Sequence, residues 1–112
     1  MTSEKIPYSD FAKLDLKVGK ILEIEDHPNA DKLYILKVDL NENEPRTILA
    51  GLKPYYKKSD LKDKKAIFVA NLEKRNIRGI ESDGMILAAD NNQGKVIFLT
   101  PEKDIESGSK VR

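Results

Sequence analysis

Residues 16–40 read LKVGKILEIEDHPNADKLYILKVDL, and this stretch decides the fold. Apolar side chains alternate with polar ones across residues 16–24 and again across residues 34–40, which is the period of a strand with one buried face. Gly19 stands where a long first strand could bend sharply. Residues 27–31 predict a turn, because Pro28 disfavours helix at the preceding residue and Asn29 tolerates unusual backbone angles. The stretch therefore predicts a hairpin, with His27 as a turn residue that makes one hydrogen bond.

Further apolar segments outside this hairpin extend the strand pattern. Residues 47–52, 65–70 and 84–89 predict a third, a fourth and a fifth strand, and residues 96–99 predict a final short one. A helical turn over residues 8–14 is expected to cover one end of a barrel, since its apolar side chains share a face.

A second helical segment is predicted between the third and fourth strands. It spans residues 54–61, because Pro54 suits a first helical turn and Ser59 or Asp60 could cap a second one. This order of elements predicts an all-β fold, namely an OB-fold, a five-stranded Greek-key barrel with short flanking helices; a small β-sandwich is the alternative. With 112 residues, the chain is expected to form a single domain over residues 1–112, with a frayed tail at residues 107–109.

The composition excludes several classes of protein. There is no cysteine and only one histidine, so disulfides, thiolate metal sites and ordinary zinc sites are not expected, and no cofactor is predicted. No apolar stretch approaches the roughly 18 residues of a membrane span, and the first five residues lack the apolar segment of a secretory signal. We therefore expect a cytoplasmic protein with no membrane role.

Positive charge is concentrated in one quarter of the chain. Residues 53–78 hold nine basic and three acidic side chains, whereas the segments before and after them are net acidic. A charge run alone more often indicates a lysine-rich surface loop exposed to water, and nucleic-acid binding is the alternative.

No constellation of catalytic residues is visible in the sequence. An enzyme would need a nucleophile with its base, a metal site, or an acid and base paired in a cleft. Asp39, Asn41 and Asn43 have the spacing of a calcium loop, but glutamate and alanine replace its required glycine and final glutamate. There is no glycine-rich nucleotide loop. A non-catalytic protein is predicted.

Residues 70–85, ANLEKRNIRGIESDGM, contain the parts of an RNA site. Three cations can neutralise phosphates, and arginine can also hold a phosphate bidentately. Asn71 and Ser82 can bond to sugar hydroxyls or base edges, while Gly79 and Gly84 allow close approach of a backbone. The alternative is a mobile hairpin whose glycines serve turn geometry alone.

Motifs along nearly the whole chain resemble those of the tRNA-binding domain family. The family occurs as free-standing dimers, as the C-terminal domain of bacterial methionyl-tRNA synthetases and in synthetase-associated factors. The motifs are FAKLDLKVGKI at residues 11–21, HPNADKLY at 27–34, AGL at 50–52 and the segment 70–85. The resemblance implies an OB barrel that binds tRNA by its shape rather than by its anticodon, often as a two-fold dimer.

The resemblance also implies a set of tRNA-contact residues in the turn, in the basic loop and at the next strand: Asn29, Lys32, Arg78, Ser82 and Met85. Lys74 and Arg75 are added on charge alone. Three lysines before them are expected to act as outer steering charges: Lys53, Lys57 and Lys58.

Several residues in these segments carry alternatives or departures. Family members commonly have lysine and then proline where this chain has Glu73 and Lys74, and a further basic residue at Asn76, which implies fewer or rearranged phosphate contacts. Met85 has core filling as its alternative. The adjacent tyrosines at residues 55–56 are expected to pack against the barrel rather than to stack on bases.

The expected function is to bind tRNA and to deliver or retain it for an aminoacyl-tRNA synthetase. Methionyl-tRNA synthetase is the first partner to consider, and a homodimer is expected because one small barrel offers little surface to a large folded RNA. The alternative function, also implied by a relative of this fold, is that of a dimeric chaperone for exported polypeptides.

Overall fold

The computed structural model describes residues 3–112 and contains ten strands and two one-turn helices. In chain order the elements are α1 (Tyr8–Phe11), β1 (Leu16–Asp26), β2 (Tyr34–Asp39), β3 (Arg46–Ala50), α2 (Lys58–Leu61), β4 (Lys65–Val69), β5 (Arg75–Ile77), β6 (Ile80–Ser82), β7 (Met85–Ile86), β8 (Ala88–Asp90), β9 (Val96–Phe98) and β10 (Lys110–Val111).

The main sheet closes almost completely into an antiparallel barrel. Its strand order is β3-β2-β1-β4-β7, and β10 adds to β1. The two ends of this order approach each other: the Asp83 N–H donates to the Thr47 carbonyl at 2.9 Å, and the Leu49 N–H donates to the Ser82 hydroxyl at 3.0 Å. The predicted all-β, five-stranded OB-type barrel is therefore confirmed.

The first strand is long and crosses the barrel, so besides β10 it pairs with two other strands. Its first half pairs with β4 and its second half with β2, and Lys20 has a partner in both. A Cβ atom on Gly19 would lie 2.7 Å from a Val38 methyl group and 2.8 Å from the Phe68 ring. Glycine at this crossing therefore allows the two sides of the barrel to pack together.

The barrel interior is filled by the apolar side chains that the alternation predicts. Ile21, Leu36, Ile48 and Phe68 are wholly buried, and α2 contributes Leu61. At about 25 cal/mol per Å² of apolar surface removed from water, such side chains supply most of the stabilisation of a domain of this size.

The prediction of one continuous fifth strand over residues 84–89 is wrong. Only β7 pairs with β4, and after Leu87 the chain changes partner so that β8 pairs with β9 in a separate two-stranded sheet. Leu87 lies at the change: its N–H donates to the Ile67 carbonyl, and its carbonyl accepts from the Leu99 N–H.

The two helical segments are shorter than predicted. The second helix begins at Lys58, not Pro54, and the Asp60 carboxylate accepts from the Lys57 N–H at 2.9 Å from inside the first turn. Residues 51–55 form turns instead. The first helix buries none of its residues, so it does not cover a barrel end as expected.

The tail is not frayed. The Gly108 N–H donates to the Val18 carbonyl at 2.7 Å, and the Val18 N–H donates to the Ser109 carbonyl at 2.9 Å, which leads the chain into β10. Within residues 3–112 no helix is long and apolar enough to cross a membrane.

Candidate nucleic-acid interface

The segment predicted as a basic loop is a two-stranded ribbon, here called the basic hairpin (residues 74–82). β5 and β6 pair with the register Arg75 to Ser82, Asn76 to Glu81 and Ile77 to Ile80. Directly paired residues share a face of the ribbon, and successive residues alternate between faces. Arg75 and Ser82 therefore lie on one face, and Asn76 and Glu81 lie on the other.

Arg78 occupies the tip of the basic hairpin in a backbone conformation that arginine seldom adopts. Arg78 has φ +53° and Gly79 has φ +92°, which is the pattern of a type I′ two-residue turn. Asparagine, aspartate or glycine is preferred in the first of these two positions. The Asn76 side chain caps the turn by accepting from the Gly79 N–H at 3.0 Å.

Three contacts attach the basic hairpin to the barrel. The His27 ring donates from Nε2 to the Ile77 carbonyl at 2.9 Å. The Ser82 hydroxyl accepts from Leu49 and donates to the Gly84 carbonyl at 3.1 Å. Directly after the hairpin, the Arg46 guanidinium donates to the Asp83 carbonyl at 3.4 Å, and it also donates to the Ala70 carbonyl of the barrel.

Arg46 connects these segments through a charged network. It donates to both carboxylate oxygens of Glu42 at 2.8 Å, and this hydrogen bond holds the pKa of Glu42 below its ordinary value and raises the pKa of Arg46. Its other guanidinium nitrogen lies 3.8 Å from the Asp83 carboxylate. No local pattern indicated this role, because Ala70 and Asp83 are distant from Arg46 along the chain.

The turn at residues 27–33, here called the first turn, lies beside the tip of the basic hairpin. Residues 29–33 and Arg78 line an open pocket of about 330 Å³, here called the Arg78 pocket. It brings together three of the predicted contact residues, Asn29, Lys32 and Arg78, all of them exposed. Asp31 also lines it, so the pocket suits a phosphodiester with sugar hydroxyl donors better than a bare anion.

A smaller cleft of about 80 Å³ lies between the basic hairpin and the barrel. Arg75 and Ser82 line it together with Glu73, Leu72 and Met85. Met85 is 44% exposed at the edge of the sheet, so the core-filling alternative is wrong for this residue. Ser82 is only 6% exposed, and its hydroxyl already serves the closure of the barrel.

Lys74 lies apart from the arginines that follow it. Its ammonium group is 3.8 Å from the Glu81 carboxylate, and both side chains line a groove of about 940 Å³, here called the acidic groove. Glu42, Glu44 and Asp83 line the same groove. The structure therefore separates Lys74 from the Arg78 pocket.

The predicted steering lysines are partly neutralised. Lys53 and Lys58 each lie 3.1 Å from an oxygen of the Asp26 carboxylate, and the hydrogen bond from Lys58, followed by that from Lys53, lowers the pKa of Asp26. Lys57 forms no ion pair with any residue in the described range, 3–112. Of the adjacent tyrosines, Tyr56 packs on Phe98 with ring centroids 5.1 Å apart, whereas Tyr55 is 45% exposed.

Asn71 and His27 make hydrogen bonds that the sequence around them did not predict. The Asn71 amide accepts from the Asp15 N–H at 2.8 Å and donates to the Lys13 carbonyl at 2.6 Å. His27 is buried and makes two hydrogen bonds rather than one, since the Asn29 N–H donates to its Nδ1 at 3.0 Å.

Comparisons with known proteins show what this chain is similar to. A family model described as "Putative tRNA binding domain" matches residues 16–110. The chain is 58% identical over 109 residues to a methionine-tRNA ligase of Pyrococcus horikoshii, covering 97% of this chain and 15% of that protein. It thus spans about one seventh of the length of such relatives.

Two solved structures have the same fold. The MetRS related protein from Pyrococcus horikoshii is similar with a TM-score of 0.91 and 34% identity, covering 98% of this chain and all of that one. The CsaA chaperone protein from Picrophilus torridus has a TM-score of 0.88 and 34% identity, covering 96% of this chain and all of that one. By its sequence and its barrel, the chain belongs to the tRNA-binding domain family.

Proposed function

We propose that this chain is a non-catalytic, cytoplasmic tRNA-binding domain over residues 1–112 that recognises the folded shape of tRNA. The observation that carries the proposal is Arg78, which stands at a positive φ over a pocket shared with Asn29 and Lys32. A left-handed conformation costs an ordinary residue roughly 1–2 kcal/mol. An arginine in this position is therefore best explained by what its side chain binds.

The Arg78 pocket would hold the sugar-phosphate backbone of the RNA. The Arg78 guanidinium can bind a phosphate bidentately, Lys32 adds a second positive charge, and the Asn29 amide can bond a ribose hydroxyl. Arg75 and Met85, on the neighbouring cleft, extend the same surface. Contacts of this kind read the positions of phosphates and sugars, so the shape of the RNA selects the ligand.

The dependence of binding on salt tests this proposal. Lys32, Arg75 and Arg78 form no ion pair within residues 3–112 and are free to neutralise phosphates. If about three phosphates are neutralised, raising salt from about 50 to about 200 mM should weaken binding roughly 20- to 40-fold. A filter-binding curve for folded tRNA that stays flat across this range would contradict the proposal.

A synthetase is the proposed recipient of the bound tRNA. The relative from Pyrococcus horikoshii is a methionine-tRNA ligase in which the matching region is a small part of the chain. We expect this chain, added to a methionyl-tRNA synthetase body that lacks such a region, to lower the KM for tRNA without raising kcat. Aminoacylation rates at limiting tRNA would measure this, and an unchanged KM would remove the synthetase from the proposal.

A homodimer is also proposed. Ile6, Tyr8 and Leu14 are 64%, 77% and 40% exposed, so the N-terminal segment presents apolar side chains that a second copy could cover. Light scattering at micromolar concentration should give twice the chain mass, and a monomer would refute this part.

The second candidate function is that of a polypeptide chaperone, favoured by the likeness to the CsaA chaperone protein. Peptide binding needs apolar surface, whereas tRNA binding needs the cations of the basic hairpin. Replacing Arg75 and Arg78 together by alanine should abolish RNA binding and spare any binding of an unfolded polypeptide. If the wild-type chain binds unfolded polypeptide and no tRNA, the chaperone function takes precedence.

A further inference from the structure

His27 joins two segments of the candidate interface that are far apart in the chain. The ring is 4% exposed, and it bonds to Ile77, fifty residues away, and to Asn29, two residues away. A backbone N–H can only donate and a carbonyl can only accept. Nδ1 therefore accepts from Asn29 and Nε2 carries the proton donated to the Ile77 carbonyl, so the ring is neutral.

The two bonds have different consequences. The bond from Asn29 shapes the first turn internally. The bond to Ile77 attaches that turn to the basic hairpin at the residue directly before Arg78. The hydrogen bonds through Ser82 and Arg46 lie at the base of the hairpin.

Beside the half-buried Ile77 and Ile80, His27 therefore supplies the hydrogen bond that holds the tip against the first turn. A two-stranded ribbon of three residues a strand has little stability of its own in water. Without a contact at the tip, Arg78 would sample many positions relative to residues 29–33. Fixing Arg78 in one position upon RNA binding would then cost conformational entropy and reduce affinity.

We propose that His27 is a positioning residue for RNA binding: through its bond to Ile77 it holds Arg78 beside Asn29 and Lys32, so that the Arg78 pocket exists before the RNA arrives. The inference rests on the proposed tRNA binding. The ring itself is buried and touches no RNA.

Two substitutions separate the two bonds. His27→Asn places an amide oxygen where Nδ1 accepts, so it preserves the bond from Asn29 and removes the one to Ile77. His27→Gln places an amide nitrogen near Nε2, so it can restore the bond to Ile77. We expect His27→Asn to weaken binding of folded tRNA about tenfold, the size of one net hydrogen bond, and His27→Gln to bind within about threefold of wild type.

A readout that loss of stability alone would not move is the coupling between Lys32 and Arg78. In the wild-type background, the loss of tRNA affinity in the Lys32→Ala, Arg78→Ala double variant should differ from the product of the two single losses. Both side chains hold one ligand in one pocket, so their effects are coupled. In the His27→Asn background the two effects should become independent. Thermal unfolding of each variant verifies that it is folded at the assay temperature.

The outcomes are distinct. If the wild type binds tRNA and folded His27→Asn binds it equally well, the positioning role alone is overturned. The same holds if the coupling between Lys32 and Arg78 is unchanged in His27→Asn. If His27→Asn does not fold, His27→Gln decides: a folded His27→Gln variant that loses tenfold or more overturns the role. A wild-type chain that does not bind folded tRNA overturns the proposed function and this inference together.

Discussion

The two sides of the basic hairpin differ in charge and in the contacts of their cations. Toward the first turn, Arg78 shares a pocket with Lys32 and with a single carboxylate, that of Asp31, and neither cation forms an ion pair within residues 3–112. Toward the β2–β3 loop, Lys74 lies beside Glu81 in a groove also lined by Glu42, Glu44 and Asp83. One side is suited to bind phosphates, and the other would repel them.

The difference shows that proximity in sequence does not place charges on one surface. Lys74 and Arg75 are neighbours in the chain, but strand alternation sends them to opposite faces of the ribbon. Lys32 and Arg78 are far apart in sequence and meet at one pocket. We therefore expect substitutions on the acidic side to change stability and substitutions on the basic side to change binding.

The largest expected effect is on stability, from Arg46→Ala on the acidic side. The Arg46 side chain is 19% exposed and donates to the Ala70 carbonyl and to Glu42, so its removal should lower the free energy of unfolding by about 2 kcal/mol. Urea unfolding would measure this. At a temperature where the variant is folded, tRNA affinity should change less than about threefold, and a larger loss would mean that the acidic side takes part in binding.

The same network predicts a dependence on pH. The pKa of Glu42 is lowered in the folded state by the hydrogen bond from Arg46, from an ordinary value of 4.5. Its contribution to stability is therefore fully present above that value and is lost as the pH falls through the lowered pKa. Urea unfolding should show the gap between wild type and Arg46→Ala narrowing below about pH 4.5, and a constant gap would contradict the assignment.

The next effect is on binding, from Arg78→Asn on the basic side. Loss of a bidentate phosphate contact should weaken tRNA binding about 10- to 100-fold. Asparagine is preferred at this turn position, so the free energy of unfolding should stay equal or rise by up to about 1 kcal/mol. Filter binding and thermal unfolding measure the two quantities. A variant that binds as well as wild type would exclude Arg78 from the interface.

A smaller effect separates Arg75 from Lys74, which serve as matched controls for each other. Arg75→Ala should weaken binding about five- to tenfold, whereas Lys74→Ala should weaken it less than about twofold because Glu81 already neutralises that lysine. Both measurements use folded tRNA at low salt. Equal losses would show that the two faces do not differ as the register indicates.

The smallest effect concerns the steering lysines. Asp26→Asn removes the partner of Lys53 and Lys58, so the association rate with tRNA should rise about twofold at low salt. The gain should vanish near 1 M salt, where charges are screened beyond about 3 Å. Stopped-flow mixing at the two salt concentrations would measure it, and a gain that survives high salt would point to a cause other than steering.

Local patterns predicted the parts of the fold that depend on local order. The alternation over residues 16–40 gave the β1–β2 hairpin, because a half-buried strand must alternate. The apolar run at residues 84–89 carried no sign that the chain changes partner at Leu87, and residues 107–109 gave no sign that Gly108 bonds to Val18. The alternation of apolar and polar residues within a segment does not indicate which distant segment it pairs with.

The candidate site divides in the same way. Residue types alone predicted that the cations of the basic hairpin contact RNA, and the family resemblance added Asn29 and Lys32 as contact residues. Their approach to Arg78, and the second hydrogen bond of His27, follow from how the hairpin folds back on the first turn. The neutralisation of Lys53 and Lys58 by Asp26 likewise depends on a contact between distant segments.

The most direct test of the account compares wild-type binding to folded tRNA, to the same tRNA unfolded, and to an RNA duplex of equal length. If a preformed pocket reads the positions of phosphates, folded tRNA should bind at least about tenfold more tightly than the other two. Equal affinity for all three would contradict the central claim and reduce the interface to a nonspecific basic patch.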